Sequence, residues 1–297
     1  MSPSRVVCLG LAVLDVVQRV QSPPEWGTKG VAESVELAAG GPATNAAIAA
    51  AALGSRVVLI TALGSSPQAS VVRAECESLG LEVLDLSTDD WELPVASCIV
   101  DADGERTVVS TGALTTTHAL GEAGSRFIEG LSPTDVLLLD GHHPAAAEEA
   151  LSIRPPGMVA VLDAGSAKPH AERWLPGLDV VAGSADYASG LGLSHDEAIR
   201  HILDGGAGAA VITDGAGPVR WRTSAGIEGE ASPPQATVVD TLGAGDAWHG
   251  AFAAALAQGI AFGPAVEAAS RVASLRVSHV GARRWLASLD HVGWSAR

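Results

Sequence analysis

A glycine-rich turn ahead of an alanine-rich stretch is the segment of this sequence best suited to chemistry. It reads DTLGAGD from Asp240 to Asp246, and a helix is predicted to begin at Ala244. Gly243 and Gly245 would let backbone N–H groups converge on one point, where the helix dipole adds positive potential. Asp246 would lie beside that point and could accept a proton from an attacking hydroxyl group. The pattern therefore predicts a phosphoryl-transfer centre, with a tight turn and a dipole-favoured aspartate as the alternative.

A second glycine pair opens another predicted helix and could hold a small polar ligand. Gly40 and Gly41 would let a ligand approach the backbone closely, and Asn45 offers a hydroxyl group both a donor and an acceptor. Asp15 follows the first predicted strand and could accept two hydroxyl groups. Taken singly, these residues could be an ordinary helix start and an exposed turn. Their occurrence together with the glycine-rich turn favours a sugar-like ligand facing a phosphate.

Composition and missing motifs narrow the classes of function. The sequence contains neither a GxxxxGK[ST] loop nor a GxGxxG turn after a strand, so two common nucleotide-binding motifs are absent. A net charge of −16 with only 18 lysines and arginines disfavours nucleic-acid binding. Cys8, Cys76 and Cys98 show no CxxC spacing, so we expect free thiols in a cytoplasmic protein rather than disulfides or a zinc site. No apolar stretch is long enough to predict a membrane span.

Short apolar runs alternate with alanine-rich stretches along the chain, which is typical of strands separated by helices. The predicted strands are Val6–Gly10, Val57–Ala62, Val136–Asp140, Val159–Asp163, Asp179–Ala182 and Ala209–Thr213. The predicted helices are Pro42–Leu53, Gln68–Leu79, His118–Leu131, Ala145–Ser152, His195–Asp204, Ala244–Gln258 and Gly263–Ser278. This order indicates one α/β domain over residues 1–297, with a mostly parallel sheet covered on both faces. In such sheets the ligand binds outside the carboxyl ends of the strands.

Two segments interrupt this alternation. Residues 16–37 contain two β-like stretches, and residues 95–110 are a hairpin candidate that turns at Asp103-Gly104. Neither segment is followed by a helix of its own. They are therefore predicted to pair with each other as a small sheet outside the main layer.

These motifs resemble those of the ribokinase-like PfkB carbohydrate kinase family. The segment AGGPATN, with Gly54 and Gly64, is similar to the N-terminal signature of the family, and DTLGAGDAWHGA is similar to its more specific C-terminal signature. The resemblance runs over nearly the whole chain, from near Gly10 to near Gly281. The sequences of the segments LDVV, GGPA and GAGDAWHGA are most similar to those of the ketohexokinase and sulfofructose kinase branch.

The resemblance implies a fold, an activity and a set of site residues. The fold would be a three-layer α/β/α sandwich with a small β-sheet lid over a sugar. The activity would be transfer of the γ-phosphoryl group of ATP to a hydroxymethyl group, with Asp246 as the base. The N–H groups around Gly243, Ala244 and Gly245 would form an anion hole. The sugar-binding residues would be Asp15, Gly40, Gly41 and Asn45, and the ATP-binding residues would be Ser184, Thr213, Gly215, Gly217, Gly243 and Gly245.

Two metal sites are also implied by the resemblance. Members of the family often have an Asn-x-x-Glu segment that organises Mg²⁺, and the matching stretch here retains only the carboxylate of Asp186. Asp163 is a second candidate for Mg²⁺, although a simple aspartate at a strand end is an equal alternative. Asp240 and Gly281 match the place where many members bind a monovalent cation such as K⁺.

The substrate is left open by the sequence. Lys29, Arg106 and His142 could contact a charged or polar substituent of the substrate, or they could be ordinary surface or structural side chains. We expect a ketose or a similar furanose-like sugar. A nucleoside kinase of the same fold and a non-catalytic sugar-binding regulatory protein are the alternatives. The resemblance also predicts a homodimer formed through the lid.

Overall fold

Short aliphatic runs form the strands of two sheets in the computed structural model, which describes residues 4–88, 90–111 and 118–294. The strands in chain order are β1 (Arg5–Leu9), β2 (Val13–Arg19), β3 (Ser34–Gly40), β4 (Arg56–Thr61), β5 (Glu82–Asp85), β6 (Val95–Val100), β7 (Arg106–Ser110), β8 (Val136–Leu139), β9 (Val159–Ala164), β10 (Val180–Ser184), β11 (Ala209–Thr213), β12 (Val219–Thr223) and β13 (Glu228–Ala231). The large sheet has the order β13-β12-β11-β10-β9-β8-β1-β4-β5, and its strands from β11 to β5 are parallel. Strands β12 and β13 extend it as an antiparallel edge.

Helices cover both faces of this sheet. They are α1 (Pro42–Ala52), α2 (Pro67–Ser78), α3 (Gly121–Glu129), α4 (Pro144–Ile153), α5 (Ala185–Gly190), α6 (His195–Asp204), α7 (Ala244–Ala257) and α8 (Phe262–Val277), with 3-10 helices at Ala171–Gly177 and Arg284–Val292. Side chains alternate between the two faces along each strand. In β1, Val6 and Cys8 belong to the same buried cluster as residues of α1, α2, α7 and α8, whereas Val7 and Leu9 belong to the cluster that includes residues of α3 to α6. Full burial of such a side chain contributes about 1.5–3 kcal/mol, which explains why these strands are apolar on both faces.

The predicted α/β class and three-layer sandwich are confirmed. Every predicted strand and helix is present, with ends shifted by a few residues; the helix predicted from His118 begins at Gly121. Strands β5, β12 and β13 and helix α5 were not predicted. The edge strands β12 and β13 carry polar side chains at most positions, so they lack the continuous apolar run that identified the central strands.

The two interrupting segments pair as predicted. Strand β2 is antiparallel to β3 and parallel to β6, and β6 is antiparallel to β7, which gives the small sheet the order β3-β2-β6-β7. One face of it buries an apolar cluster that includes Val17 and Cys98. The other face exposes aliphatic side chains, among them Leu37 and Val109. The role of this sheet in a homodimer stays a prediction.

Two further sequence expectations can be compared with the structure. Cys8, Cys76 and Cys98 are all free and buried. None of the helices in the described part of the chain has the length and apolarity that crossing a membrane requires.

Candidate active site

The N-terminus of α7 lies beside the carboxyl ends of the central strands. Gly243 occupies the position before the helix with a φ of 72°, a left-handed conformation that glycine adopts without strain. The N–H of Leu242 donates to the Asp240 carboxylate at 3.0 Å, and the N–H of Ala244 donates to the Thr241 carbonyl at 3.3 Å. Among the described residues, the N–H groups of Gly243 and Gly245 have no such partner. The amides of Gly243 and Gly245 in the predicted anion hole are therefore available to a ligand, whereas that of Ala244 is already bonded within the loop.

Asp246 is held in the first turn of α7 by a residue of the other glycine motif. The Asn45 side-chain amide donates to Oδ2 of Asp246 at 2.9 Å. A Cβ atom added to Gly243 would lie 3.6 Å from that amide nitrogen and 3.7 Å from Oδ2 of Asp246. Burial, followed by the negative charge of Asp163, raises the pKa of Asp246 to about 6. The structure thus places a carboxylate with the pKa of a usable base next to the two free amides.

Asp15 lies against the second glycine pair. A Cβ atom on Gly40 would come within 2.1 Å of Oδ2 of Asp15, so only glycine leaves room for this carboxylate. Gly41 has a φ of 97°, and a Cβ there would lie 2.3 Å from the carbonyl oxygen of Leu11. Burial, followed by the charge of Asp246, raises the pKa of Asp15 to about 7. The charges of Asp15 and Asp246 therefore interact, although the two residues come from distant parts of the chain.

A cleft of about 320 Å³, part of it open to solvent, joins the two motifs. Its walls include Asp15, Asn45 and Gly243 from the predicted site. They also include Arg276, Arg283 and Trp285, which sequence reasoning did not identify. The carboxylate of Asp246 adjoins this cleft through its hydrogen bond to Asn45.

Arg283 lies in the cleft wall and forms hydrogen bonds with residues of three other parts of the chain. Its guanidinium group donates to Asn45 Oδ1 at 3.3 Å and to Glu75 Oε1 at 2.7 Å, and it also contacts the carbonyl oxygen of Ala39. Because Arg283 occupies Oδ1 of Asn45, the amide nitrogen of that residue is turned towards Asp246. An arginine near the end of a chain gives no sequence signal for such a role, since a solvated side chain is the usual outcome there.

His249 and Asp163 lie behind Asp246. Nδ1 of His249 is 2.8 Å from the Gly245 carbonyl oxygen and 3.2 Å from Oδ2 of Asp163, and its Nε2 is 3.1 Å from the Ala182 carbonyl oxygen. The other oxygen of Asp163 accepts the N–H of Gly165 at 3.0 Å. One oxygen of this buried carboxylate therefore accepts a backbone hydrogen bond, and the other lies beside the His249 ring, whose Nδ1 bonds to the Gly245 carbonyl. The role of Asp163 as a Mg²⁺ ligand stays a prediction.

The exposed carboxylate of Asp186 is suited to binding Mg²⁺. It is exposed in the first turn of α5, and the N-cap residue Ser184 accepts its backbone N–H at 3.1 Å. A Cβ atom on Gly183 would meet side-chain atoms of Tyr187 at 2.9 Å and Ile212 at 3.0 Å, so a larger residue there would have to displace these side chains. Among the described residues no group of three His, Cys, Asp or Glu side chains could hold a metal ion. A single carboxylate with waters and phosphate oxygens is the usual Mg²⁺ arrangement, and Asp186 can supply that carboxylate.

The predicted ATP-binding residues meet at the ends of neighbouring strands. Ser184 and Thr213 are paired in register across β10 and β11. The turn that follows β11 contains Gly215 at a φ of 51° and a bond from the N–H of Gly217 to the Asp214 carbonyl at 2.6 Å. This turn stands at the same edge of the sheet as the N-terminus of α7.

Asp240 and Gly281 lie together, but they do not fit a monovalent cation. The Gly281 N–H donates to Oδ2 of Asp240 at 3.0 Å, and Arg19 forms an ion pair with the same oxygen. Nη2 of Arg276 is 3.6 Å from Oδ1. Burial by itself would raise the pKa of Asp240, but the charge of Arg276 and the two N–H bonds hold it below its usual value. The carboxylate is thus already surrounded by positive and N–H groups.

The three residues predicted to contact substituents of the substrate lie outside the cleft walls. Lys29 is exposed and makes no side-chain hydrogen bond or ion pair with any described residue. Arg106 donates to Oγ1 of Thr241 at 2.5 Å, which ties the small sheet to the glycine-rich turn. His142 Nδ1 is 3.0 Å from the buried carboxylate of Asp140.

Comparison with known proteins shows similarity over nearly the whole length of this chain. Ribokinase of Bacillus subtilis is 26% identical over 97% of this chain and 98% of its own length. The structure of Arabidopsis thaliana ribokinase in complex with ribose and ATP has a TM-score of 0.78 and 20% identity, and the similarity covers 98% of this chain and 99% of that one. Ketohexokinase of Mus musculus matches over only 37% of each chain, at 28% identity, so the predicted branch is not established. The profile of the pfkB family carbohydrate kinases matches residues 3–287, and the chain therefore belongs to that family of carbohydrate kinases.

Proposed function

We propose that this carbohydrate kinase phosphorylates a hydroxyl group of a sugar held in the cleft, with Asp246 as the base and ATP as the phosphoryl donor. The observation that carries the proposal is the position of Asp246, which Asn45 holds at 2.9 Å next to the two free amides of Gly243 and Gly245. Asp246 accepts the proton of the attacking hydroxyl group. Negative charge that builds up on the transferring group is stabilised by the free amides at the helix terminus.

The remaining cleft residues orient the two reactants. Asp15 accepts hydrogen bonds from sugar hydroxyl groups, and Gly40 leaves the space that the carboxylate of Asp15 occupies. Phosphoryl transfer depends mostly on positioning and charge stabilisation, so these contacts contribute directly to rate. Asp186 would hold Mg²⁺, which when bound neutralises charge on the ATP phosphates.

The substrate class is tested with a panel of acceptors. We infer a furanose-forming sugar, either ribose, in keeping with the ribokinase relatives, or a ketose such as fructose. Purified protein is assayed for ADP release with ribose, several ketoses, adenosine and inosine, and the product is identified by mass spectrometry. Phosphorylation of one of the sugars supports the proposal. Turnover of nucleosides alone would assign a nucleoside kinase, and sugar binding without any ADP release would assign a binding protein.

The raised pKa values predict a loss of activity in mild acid. Asp246 and Asp15, with pKa values raised to about 6 and about 7, act in their ionised forms. The ratio kcat/KM for the sugar should therefore rise with pH through this range and level off above it, because protonation removes the base and a hydrogen-bond acceptor. An aspartate with an ordinary pKa of about 3.9 would keep full activity at pH 5.

The measurement is a pH profile of kcat/KM at saturating ATP. His249→Gln provides a second check, because the charge of His249 lowers the pKa of Asp246. Removing that charge should move the acid limb to higher pH. A profile that is flat down to pH 5 would contradict the assignment of these carboxylates.

Arg283 is expected to act on the sugar side of the reaction. Arg283→Gln removes the charged group that orients Asn45, at a cost of about 10- to 100-fold in kcat/KM for the sugar, as expected for loss of charge-assisted hydrogen bonds. The KM for ATP should change little. The neighbouring Arg284 is exposed, so Arg284→Gln is the matched control. Equal effects of the two substitutions would rule out the proposed role of Arg283.

A further inference from the structure

The carboxylate of Asp240 has four donors around it. The residue is 1% exposed, and it immediately precedes the loop that carries the free amides. Its Oδ1 accepts the N–H of Leu242 at 3.0 Å, and its Oδ2 accepts the N–H of Gly281 at 3.0 Å. Two guanidinium groups, those of Arg19 and Arg276, complete the set. A single buried negative charge is therefore matched by two fixed positive charges.

Arg276 occupies the centre of this arrangement. It lies in the last turn of α8 and is 2% exposed. Its Nη1 donates to the His279 carbonyl oxygen at 3.0 Å, while its Nη2 lies 3.6 Å from Oδ1 of Asp240. The guanidinium group thus joins a carboxylate to a backbone carbonyl and also forms part of the cleft wall.

The oxygen atoms that could coordinate a monovalent cation here already accept hydrogen bonds or form ion pairs with other residues. Hard cations in proteins are bound by carboxylate and carbonyl oxygens. Both oxygens of Asp240 and the carbonyl of His279 are engaged by the donors described above. Another nearby carbonyl, that of Val277, accepts the N–H groups of Val239 at 2.8 Å and Asp240 at 3.2 Å. A cation placed among these groups would also face two arginine charges at close range.

We propose that Arg276, assisted by Arg19, provides beside Asp240 the positive charge that a bound monovalent cation would otherwise provide, so that this enzyme needs no added potassium. The inference rests on the proposed function, because it concerns the loop on which that function depends. Arg276 is a positioning residue: it holds Asp240, and Asp240 in turn holds the N–H of Leu242 at the start of the loop. Arg19 ends strand β2, so the small sheet supplies one of the two charges.

The first experiment compares salts on the native enzyme. ADP release is measured in potassium chloride and in tetramethylammonium chloride at equal ionic strength, after dialysis against the latter. The two rates should agree within about twofold, whereas a tenfold activation by potassium, equal to about 1.4 kcal/mol, would overturn the proposal.

A binding measurement is independent of turnover. Equilibrium dialysis of the native protein with radioactive rubidium, a potassium analogue, should show no saturable site. One saturable site from which potassium displaces rubidium would overturn the inference. If no acceptor is phosphorylated in either salt, the proposed function fails, but this measurement still tests the cation inference.

A substitution then tests Arg276 directly. Arg276→Met should lower kcat by about tenfold or more, and potassium but not tetramethylammonium should restore part of the loss, because the change frees the carbonyl of His279 and one side of Asp240. Arg271→Met is the matched control on the same helix, where the arginine bonds the Val292 carbonyl instead, and it should behave like the native enzyme in both salts.

Two results with the variant would contradict the proposal. The first is a normal rate of Arg276→Met without potassium. The second is a loss that potassium does not restore, which would leave Arg276 with a structural role alone. If Arg276→Met does not fold, the less buried Arg19→Met takes its place, with the same expectations.

Discussion

Replacing Asp246 with asparagine is expected to lower kcat by about 10²- to 10⁴-fold, the range that a general base contributes. Asparagine has nearly the same shape as aspartate, and it can still bond to Asn45 through its side-chain oxygen. It cannot accept the proton of the attacking hydroxyl group. The free amides of Gly243 and Gly245 are unchanged by the substitution, so the Kd for ATP should stay within about threefold of the native value, a difference below about 0.7 kcal/mol.

The measurements are ADP release for kcat and calorimetric titration for ATP binding. The exposed Asp204 at the end of α6 provides the control, because Asp204→Asn removes the same charge far from the cleft. The residual activity of Asp246→Asn should also lose the part of the acid limb that lies near pH 6. Near-native turnover in this variant would remove Asp246 as the base and leave the raised pKa without a function.

Gly250→Ala is expected to produce the largest loss of stability. A Cβ atom at Gly250 would lie 2.1 Å from the carbonyl oxygen of Ala46 and 2.8 Å from its carbonyl carbon. These are backbone atoms of α1, so no flexible side chain can move aside, and the two helices must separate. We expect a loss of about 3 kcal/mol or more in the free energy of unfolding, at the upper end of the usual cost of overpacking. Separation of α1 from α7 would also draw Asn45 away from Asp246.

Thermal unfolding measures this effect. At about 2.1 cal/mol/K per residue, the unfolding entropy of this 297-residue chain is about 0.6 kcal/mol/K, so a loss of about 3 kcal/mol corresponds to a fall in Tm of about 5 °C. Gly245→Ala in the same helix is the matched control for stability, because a Cβ there would meet nothing within 4 Å. Its Tm should stay close to the native value. Coincident melting of the two variants and the native protein would show that α1 and α7 can separate at little cost.

Several parts of the site could be predicted because they depend on local sequence. Gly243 and Asp246 are three residues apart on one turn, and their relation follows from helix geometry alone. The helix that carries Asn45 begins at a proline after two glycines, which is a local signal for its start. The rule that ligand sites lie at the carboxyl ends of parallel strands predicted that Asp15 lies near them, although the structure places Asp15 within β2 of the small sheet.

The partners of the charged side chains could not be predicted in this way. Arg283 and Asn45 are 238 residues apart in the chain, and Arg19 and Asp240 are 221 apart. Which arginine reaches which acceptor depends on how whole helices and strands pack, and nothing in the local sequence around an arginine distinguishes a buried partner from solvent. The same reason explains why the sequence left Asp163 as either a Mg²⁺ ligand or a simple aspartate at a strand end, and did not indicate its position beside His249.

The alternation of apolar strands and alanine-rich helices, and the glycines at the turns, were enough to establish the layered sheet, the helix terminus that offers free amides, and the carboxylate beside it. These features arise from backbone geometry and from burial of strand faces, both of which act over a few residues. Tertiary packing alone settled how far each carboxylate is neutralised. It left Asp246 and Asp15 with raised pKa values and gave Asp240 two arginines, because electrostatic environment depends on groups that distant parts of the chain bring within a few ångströms.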